Sequence, residues 1–333
     1  MKPLQFFIII AVLLLSTPTL HAQDFLQKAK KFLDAGECEK AQMAYDAYKV
    51  ENPVGDADVE RGIAECRKKV DSLQALLDGQ PCPGTPTVTD YDGHTYNTVQ
   101  IGKQCWMKEN LRTERYADGT EIILGDWNTS TTKGYRYNPN NNELYVKKYG
   151  YLYNWKAVMG NSSSSNANPS GVQGICPDGW HVPSDAEWLQ LTDYVGSQSR
   201  YVCGNKKYSI GKALASNSQW RDGSYLTHEN DRSNNIQMYR RDSHKITACS
   251  VCNNQKTNNA TGFTALPAGR KEEFTYNGEG IYYFQGEAYF WSASEVNDEK
   301  AIFYYLYTNY EEFIRDDYGG EKSYSYSVRC VRD

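Results

Sequence analysis

The 333-residue sequence lacks several features that would assign it to a common functional class. It has no long run of lysine or arginine, and 41 acidic against 36 basic side chains give a formal charge of -5, which argues against nucleic acid as its main partner. Beyond residue 15, no segment is apolar enough to cross a membrane. The composition also excludes collagen-like, coiled-coil and multi-span membrane chains. It predicts one to three globular domains and names no ligand.

Histidine is scarce, and its five occurrences form neither an HExxH motif nor a triad signature. His181, within Gly-Trp-His-Val-Pro, is interpreted as a structural histidine rather than a catalyst. The segment 90–93 begins like a calcium loop, but its glycine comes two residues early and Ile101 stands where the last ligand, a glutamate, is required. We interpret this segment as a turn. The sequence therefore predicts no catalytic residue, no metal and no cofactor.

The first 22 residues have the pattern of a secretory signal peptide. Lys2 supplies a positive charge, residues 4–15 are apolar apart from Gln5, and Ala22 offers a cleavage site before Gln23. The alternative is a membrane anchor, but this apolar run is well short of the roughly 20 residues that a span needs. We expect a chain that is secreted or held at the outer cell surface, with the periplasm as the alternative and no transmembrane span after cleavage.

Residues 23–78 form a predicted helical region that resembles a tetratricopeptide repeat. Small residues, an aromatic residue and a terminating proline occur at the spacing of that repeat: Ala29, Gly36, Ala41, Tyr45 and Pro53. A third helix follows, and its apolar stripe consists of Val59, Ile63, Cys66, Val70, Leu73 and Leu77. We favour a plain helical hairpin, because a single repeat offers little concave surface; a protein partner for the hairpin is the alternative.

The remainder of the chain predicts short strands separated by turns. A Pro/Gly-rich linker, residues 79–89, marks a domain boundary, and the larger domain covers 82–333. Ser184 and Glu187 form a capping box that predicts one clear helix, with Trp188, Leu191 and Val195 on its buried face. A weaker helix is predicted near residues 210–216.

Nine cysteines become informative once export is predicted, because thiols in an oxidising compartment pair by default. Cys38 and Cys66 would join two helices of the hairpin. Cys82 and Cys105 flank a predicted β-hairpin and are expected to pair. The odd number leaves one thiol over unless the protein forms an intermolecular bridge.

From Cys82 onward the chain resembles the Fibrobacter succinogenes major paralogous domain. The matching segments, in chain order, are 88–93, 101–107, 109–112, 115–120, 150–155, 176–183, 259–269, 290–294 and 327–331. This resemblance implies an exported domain, common in Bacteroidetes and Fibrobacteres, with no established chemistry for most members. More loosely, the same segments are similar to the C-type-lectin-like fold shared with formylglycine-generating enzymes. The expected fold is therefore α+β, a C-type-lectin-like domain preceded by a small all-α hairpin.

The lectin-like resemblance implies that Cys176 pairs with Cys330, joining the helix-bearing segment to the last strand. Cys203 then takes a partner from Cys249 or Cys252. We favour Cys249, which leaves Cys252 as the odd thiol.

The Cys249-x-x-Cys252 motif has two other interpretations, a redox pair and half of a zinc site. The zinc interpretation finds only His244 nearby, and the redox interpretation lacks a thioredoxin-like context. The formylglycine-generating enzymes use a cysteine pair near their C-terminal core, whereas Cys330 alone follows Cys252 here. Their oxidase chemistry is therefore not expected.

Tyrosine is abundant, with 27 residues against 10 phenylalanines, and 11 of the 27 lie between residues 271 and 333. Tyrosine among small polar residues is typical of recognition surfaces, because it gives contact area at low entropic cost. The predicted ligand surface consists of Trp291, Tyr305, Tyr307, Tyr310, Asp316, Asp317 and Tyr318. The alternative is ordinary strand packing, with one tyrosine row buried and the other in water.

These observations predict an exported, non-catalytic binding or adhesion protein whose partner is a glycan or a surface protein. Two alternatives come from other classes. One is an enzyme on a formylglycine-generating-enzyme-like scaffold, either a metal-dependent oxidase or a hydrolase. The other is a structural subunit of a surface fibre that docks through its helical hairpin.

Overall fold

Three helices make up the N-terminal unit. The computed structural model describes residues 17–126, 129–221, 246–272 and 281–332, and two compact units divide after residue 76. The helices are α1 (Thr17–Asp34), α2 (Cys38–Glu51) and α3 (Ala57–Leu77). Residues 1–16, most of the predicted signal peptide, lie outside the described residues. Within the described ranges, no helix combines the length and apolarity that a membrane span requires.

Small and aromatic residues at the repeat-like positions build the core of this unit. Ala29 and Ala41 are fully buried, which lets α1 and α2 approach closely. Tyr45 is also buried, and its hydroxyl donates a 3.0 Å hydrogen bond to the carbonyl of Asp56, just before α3. A disulfide between Cys38 and Cys66 joins α2 to α3. The predicted helical hairpin and its bridge are confirmed.

The second unit contains short strands and short helices. In chain order its described strands are β1 (Thr87–Thr89), β2 (Thr95–Ile101), β3 (Gln104–Met107), β4 (Ile123–Leu124), β5 (Tyr135–Tyr137), β6 (Leu152–Asn154), β7 (Trp180–His181), β8 (Arg270–Lys271), β9 (Ile281–Tyr282), β10 (Glu287–Glu295), β11 (Lys300–Tyr307), β12 (Ile314–Glu321), β13 (Ser325–Tyr326) and β14 (Val331–Arg332). Its described α-helices are α4 (Val146–Tyr149), α5 (Trp155–Met159), α6 (Asp185–Ser197) and α7 (Gly211–Leu214).

The described strands form three sheets. Their orders are β1-β2-β3-β14-β7, β10-β11-β12 and β4-β5-β6-β13-β8-β9. The last strand lies inside the first sheet, where Val331 pairs with both Trp106 and His181. Both ends of the unit are therefore tied into one sheet. The architecture is α+β, as the sequence predicted.

Helix α6 starts at the predicted capping box. The Ser184 hydroxyl accepts from the Glu187 amide, and the Glu187 carboxylate accepts in return from the Ser184 amide at 2.9 Å. These reciprocal bonds satisfy amides that a helix start leaves without partners. Trp188, Leu191 and Val195 are fully buried, so the predicted inner face is confirmed. The weaker predicted helix is limited to α7.

All nine cysteines lie within the described residues, and eight of them are bonded. Besides the bridge in the helical unit, the pairs are Cys82–Cys105, Cys176–Cys330 and Cys203–Cys249. Cys252 is the free thiol and is half-buried. The favoured pairing of Cys203 with Cys249 is the one that the structure contains.

The Pro/Gly-rich segment after residue 78 is attached to the second unit. The Gly79 amide donates to the carbonyl of Gln100 at 2.9 Å, and the Gln100 amide donates to that of Gln80 at 2.8 Å. The segment ends in β1, which pairs with β2. Together with the Cys82–Cys105 bridge, these bonds make the predicted linker part of the packed structure of this unit.

Candidate functional site

Strands β10 and β11 carry most of the aromatic residues of the three-stranded sheet. Their register places Tyr289 opposite Tyr305. Because side chains alternate along a strand, Tyr305 and Tyr307 pack with one core cluster, whereas Tyr304 packs with the other. The alternative of ordinary strand packing therefore accounts for part of the tyrosine surplus.

Four tyrosines on one side of this sheet form a continuous series of ring contacts, which we call the tyrosine ladder: Tyr289, Tyr305, Tyr307 and Tyr310. Tyr289 and Tyr305 stack with centroids 5.7 Å apart, and Tyr307 lies 4.8 Å from Tyr305. Tyr310 meets the edge of Tyr307 at 5.0 Å. Tyr289 and Tyr307 are buried, whereas Tyr305 and Tyr310 are half-buried. The accessible edge of the ladder is therefore supplied by Tyr305 and Tyr310.

A cluster of charged groups adjoins the buried end of the ladder. Arg270 donates to the Tyr289 hydroxyl at 2.6 Å and pairs with Glu272 at 2.7 Å. The Tyr289 hydroxyl in turn donates to the carboxylate of Glu287. The guanidinium of Arg270 also lies 5.1 Å from the ring centre of Tyr283, which is 40% exposed. Aromatic faces and charged hydrogen-bonding groups thus occur together at one side of the sheet.

The environment fixes the protonation of this cluster. Burial, followed by the negative charge of Glu287, holds the pKa of Tyr289 well above its usual value. Burial lowers the pKa of Arg270, but Tyr289, Glu287 and Glu272 together outweigh burial and raise it. At neutral pH the site therefore contains a neutral phenol that donates hydrogen bonds and a charged guanidinium.

Two residues of the predicted ligand surface belong to the core. Trp291 is fully buried, its indole N–H donates to the carbonyl of Tyr153 at 2.9 Å, and its ring lies 4.2 Å from that of Tyr326. Tyr307 is 6% exposed and is enclosed between its ladder neighbours. The prediction that Trp291 and Tyr307 are surface residues was wrong, because both point from their strands into the sheet's packed face.

The remaining residues of the predicted surface lie toward opposite ends of β12: Tyr305 and Tyr310 near its start, and Asp316, Asp317 and Tyr318 farther along it. Register places Ile314 opposite Tyr305 and Gly320 opposite Ala301, so Tyr318 lies at the end of the strand away from the ladder. Tyr318 is 85% exposed and sits where the pairing register shifts.

The acidic residues beside Tyr318 have local partners. Asp316 accepts hydrogen bonds from the amides of Tyr318 and Gly319 at 3.0 and 3.1 Å. Asp317 forms an ion pair with Arg315. These contacts shape the bulge of β12, and the structure does not unite Asp316, Asp317 and Tyr318 with Tyr310 in one surface.

Sequence reasoning missed the charged part of the site. The sequence does not single out Arg270, Glu272, Tyr283 and Glu287, because Arg270 is separated in the chain from the tyrosine-rich strands. A local signal does exist at Glu287-x-Tyr289, where the two side chains fall on the same side of a strand. An isolated bridge between Gly269 and Ala288 brings Arg270, on a strand of another sheet, to them.

His181 has the structural role that the sequence predicted. Its Nε2 lies 2.6 Å from a carboxylate oxygen of Glu187, and both side chains are buried. The other oxygen of Glu187 accepts from the amides of Ser170 and Ser184 at 3.1 and 2.9 Å. The pair ties the start of α6 to β7, and burial separates it from any substrate.

Asp90, Asp92 and His94 bring ligand-type atoms within 4.8 Å of one another, but protein donors engage both carboxylates. Asp90 accepts from the amide of His94 at 2.8 Å and from the hydroxyl of Tyr96 at 2.5 Å. Asp92 accepts from the Thr113 hydroxyl and from two backbone amides. This arrangement matches the predicted turn.

The Cys249-x-x-Cys252 motif does not form a dithiol pair. Cys249 is bonded to Cys203, which leaves Cys252 without the second thiol that either alternative interpretation requires. His244, the remaining candidate ligand, lies outside the described residues.

Residues 99–332 match the Fibrobacter succinogenes major domain (Fib_succ_major). The match covers every strand from β3 to β14, and with them the tyrosine ladder and its charged neighbours. No curated protein and no solved structure matches the chain.

Proposed function

We propose, from the premise that the chain belongs to the Fibrobacter succinogenes major domain family, that it is an exported, non-catalytic binding protein. Its ligand is a glycan, and the contact surface is the accessible edge of the tyrosine ladder. The observation that carries the proposal is that buried Tyr289 connects the Arg270–Glu287 cluster to half-buried Tyr305, and that the ladder continues from there to half-buried Tyr310.

The chemistry of this junction suits a sugar better than an apolar ligand. Aromatic rings offer a flat apolar face that packs against the C–H face of a pyranose, and the tyrosine hydroxyl keeps a polar edge in water. Arg270 and Glu287 hold the Tyr289 hydroxyl between them, so they fix the orientation of the ring on which Tyr305 stacks. Tyr283, stacked on Arg270, places a further exposed ring beside these groups.

Export is supported by the cysteines. Four disulfides are typical of proteins that fold in an oxidising compartment, and each is buried or lies between packed segments of its unit. The outer cell surface or the medium is the location that we propose, and a signal peptide over residues 1–22 is the proposed route.

A non-catalytic role is supported by the engagement of the reactive groups. His181 is buried against Glu187, Asp90 and Asp92 are held by protein donors, and Cys249 is in a disulfide. Nucleophiles and general bases need access to a substrate. None of these described groups has access to a substrate.

The proposal is tested by measuring binding of the purified chain to neutral oligosaccharides of glucose, mannose and xylose by calorimetry. We expect Tyr305→Ala combined with Tyr310→Ala to weaken binding by roughly thirtyfold to several hundredfold, since each of the two aromatic contacts removed costs about 1–2 kcal/mol. Tyr318→Ala is the matched control, because this exposed tyrosine lies at the other end of β12.

Both ladder residues also pack against the core, so a second variant separates binding from folding. Tyr305→Phe with Tyr310→Phe keeps the rings and removes only the hydroxyls; we expect native melting and a smaller loss of affinity. Equal losses for Tyr318→Ala and the ladder variant would contradict the proposal. Binding to a surface protein without binding to any glycan would also contradict it.

A further inference from the structure

The apolar stripe of α3 is covered over only part of its length. Val59 and Ile63 are buried in the core of the helical unit, and Cys66 is bonded to Cys38. The same stripe continues through Val70 and Leu73, which are exposed, and Leu73 is 55% exposed. A helix stripe that packs on its neighbours in one half and faces water in the other is an incomplete interface.

The spacing of the stripe identifies the kind of structure that fits it. From Val59 to Leu77 the apolar positions alternate in steps of four and three residues, which is a period of 3.5. A stripe with that period packs along another helix at a shallow angle, with side chains inserted between those of the partner. The exposed half runs from Cys66 to Leu77, a length of about 16 Å at 1.5 Å per residue. It therefore accommodates a helix of about three turns.

Uncompensated positive charge lies beside the exposed half of the stripe. Arg67, Lys68 and Lys69 are all exposed, and none of them forms an ion pair within the described part of the chain. Arg67 and Lys69 flank the stripe on its two sides, next to Cys66 and Val70. Charges at these flanking positions determine partner choice in helix pairs.

Most other cations of the same unit have ion-pair partners. Five of them have carboxylate partners within 4.0 Å: Lys28, Lys30, Lys40, Lys49 and Arg61. Among the described cations of this unit, Lys31 on α1 also has no ion pair, but Arg67, Lys68 and Lys69 are the consecutive set, and they adjoin the exposed half of the stripe. Two independent features, one apolar and one electrostatic, mark the same two turns of α3.

We infer that the C-terminal half of α3 is a docking surface for a short amphipathic helix of another protein, with acidic residues flanking its apolar face. Leu73 and Val70 contact the apolar face of this helix, and its carboxylates pair with Arg67 and Lys69. A second copy of α3 fits less well, because it brings a second set of cations to the interface instead of the carboxylates that would neutralise the first.

The size of the surface sets the expected strength. Stable interfaces bury about 1,200–2,000 Å² in total, and a three-turn helix on one exposed stripe buries less. The interaction is therefore transient, with a dissociation constant of roughly micromolar order. Its electrostatic part weakens as salt rises, because exposed charges are screened over about 8 Å at physiological ionic strength.

The test uses the full chain and two designed helical peptides of about three turns, each with leucine at the stripe positions. One peptide carries glutamate at the flanking positions and the other carries lysine. Fluorescence anisotropy should show the acidic peptide binding at least tenfold tighter than the basic peptide, with the difference falling as salt is added. The variant R67E/K68E/K69E should reverse this preference, and Leu73→Glu should remove binding of both peptides.

Met43→Glu is the matched control, because Met43 is exposed on α2 of the same unit and lies off the stripe. All the substituted side chains are exposed, so circular dichroism should show native helix content in each variant. Equal binding of the two peptides, or no binding of the acidic peptide, overturns the inference. Dimerisation of the chain in sedimentation that Leu73→Glu abolishes also overturns it, because a second copy would then be the occupant.

Discussion

Arg329 is a fully buried cation in the second unit, and its environment explains how the core accommodates it. Its Nε donates to the side-chain oxygen of Asn110 at 2.7 Å. Its Nη1 donates to the carbonyls of Met107 and Phe263 at 3.1 and 2.6 Å, and Nη2 donates to that of Thr264 at 2.7 Å. Burial lowers the pKa of Arg329 to about 9, so the group is still charged at neutral pH. The planar fork of donors joins three separate segments of the chain.

Arg329→Lys should lower the free energy of unfolding by about 2–4 kcal/mol, because an ammonium has fewer donors and leaves buried carbonyls without partners. The measurement is urea unfolding followed by tryptophan fluorescence. Arg332→Lys, at an exposed residue of β14, is the control and should change stability by less than about 0.5 kcal/mol. Equal effects of the two substitutions would show that the buried hydrogen bonds contribute nothing specific.

At the scale of elements, the three helices of the N-terminal unit depend on a small core. Ala29, Ala41, Tyr45, Val59 and Ile63 are its buried members. Such a core stabilises a short helical unit only marginally, and units of this size commonly rely on a disulfide. The Cys38–Cys66 bridge joins α2 to α3 across a separation of 28 residues.

Replacing Cys38 and Cys66 together with alanine should destabilise the helical unit by about 3–4 kcal/mol, the loop-closure entropy that the bridge removes from the unfolded chain. Helical circular dichroism during heating should then show an early transition that the native chain lacks. Cys252→Ala is a cysteine-to-alanine control that breaks no bridge, and its melting should follow that of the native chain. Coincident melting of all three proteins would be inconsistent with this role.

At the scale of the whole molecule, the tyrosines determine how the protein responds to alkali. Burial raises the pKa of several of them above 10: to about 12 for Tyr116 and Tyr151, and further for Tyr153, Tyr289 and Tyr326. The neutral phenol is thus favoured in the folded state. Above pH 10 the unfolded chain binds fewer protons than the folded one, so stability is complete below pH 10 and falls as pH rises toward 12 and beyond.

Titration of tyrosinate absorbance alongside circular dichroism should therefore show two stages. The buried tyrosines should ionise only together with loss of tertiary structure, in a cooperative step well above pH 10. The guanidinium-unfolded chain should instead titrate in one step near pH 10. Ionisation of all 27 tyrosines near pH 10 with native dichroism would rule out this account.

Several features of the molecule depend on local sequence, and these were predicted well. The capping box at Ser184 and Glu187 specifies the start of α6 within four residues. The helical hairpin follows from residue spacing in the same way. The family follows from motifs spread in order along the chain, because their order and composition need no coordinates to be read. The α+β class follows from the change of period near residue 90.

The position of the tyrosine ladder and the exposure of its members were decided by tertiary structure alone. Alternation along β11 shows that neighbouring tyrosines face opposite sides, but only the packed cores show that Tyr307 is enclosed and Tyr305 half-buried. The register between β11 and β12 separates Tyr318 from Tyr310, and the bridge between Gly269 and Ala288 brings Arg270 to the tyrosine ladder. Hydrophobic pattern and turn residues act locally and are visible in the sequence, whereas register and burial arise from contacts between residues far apart in the chain.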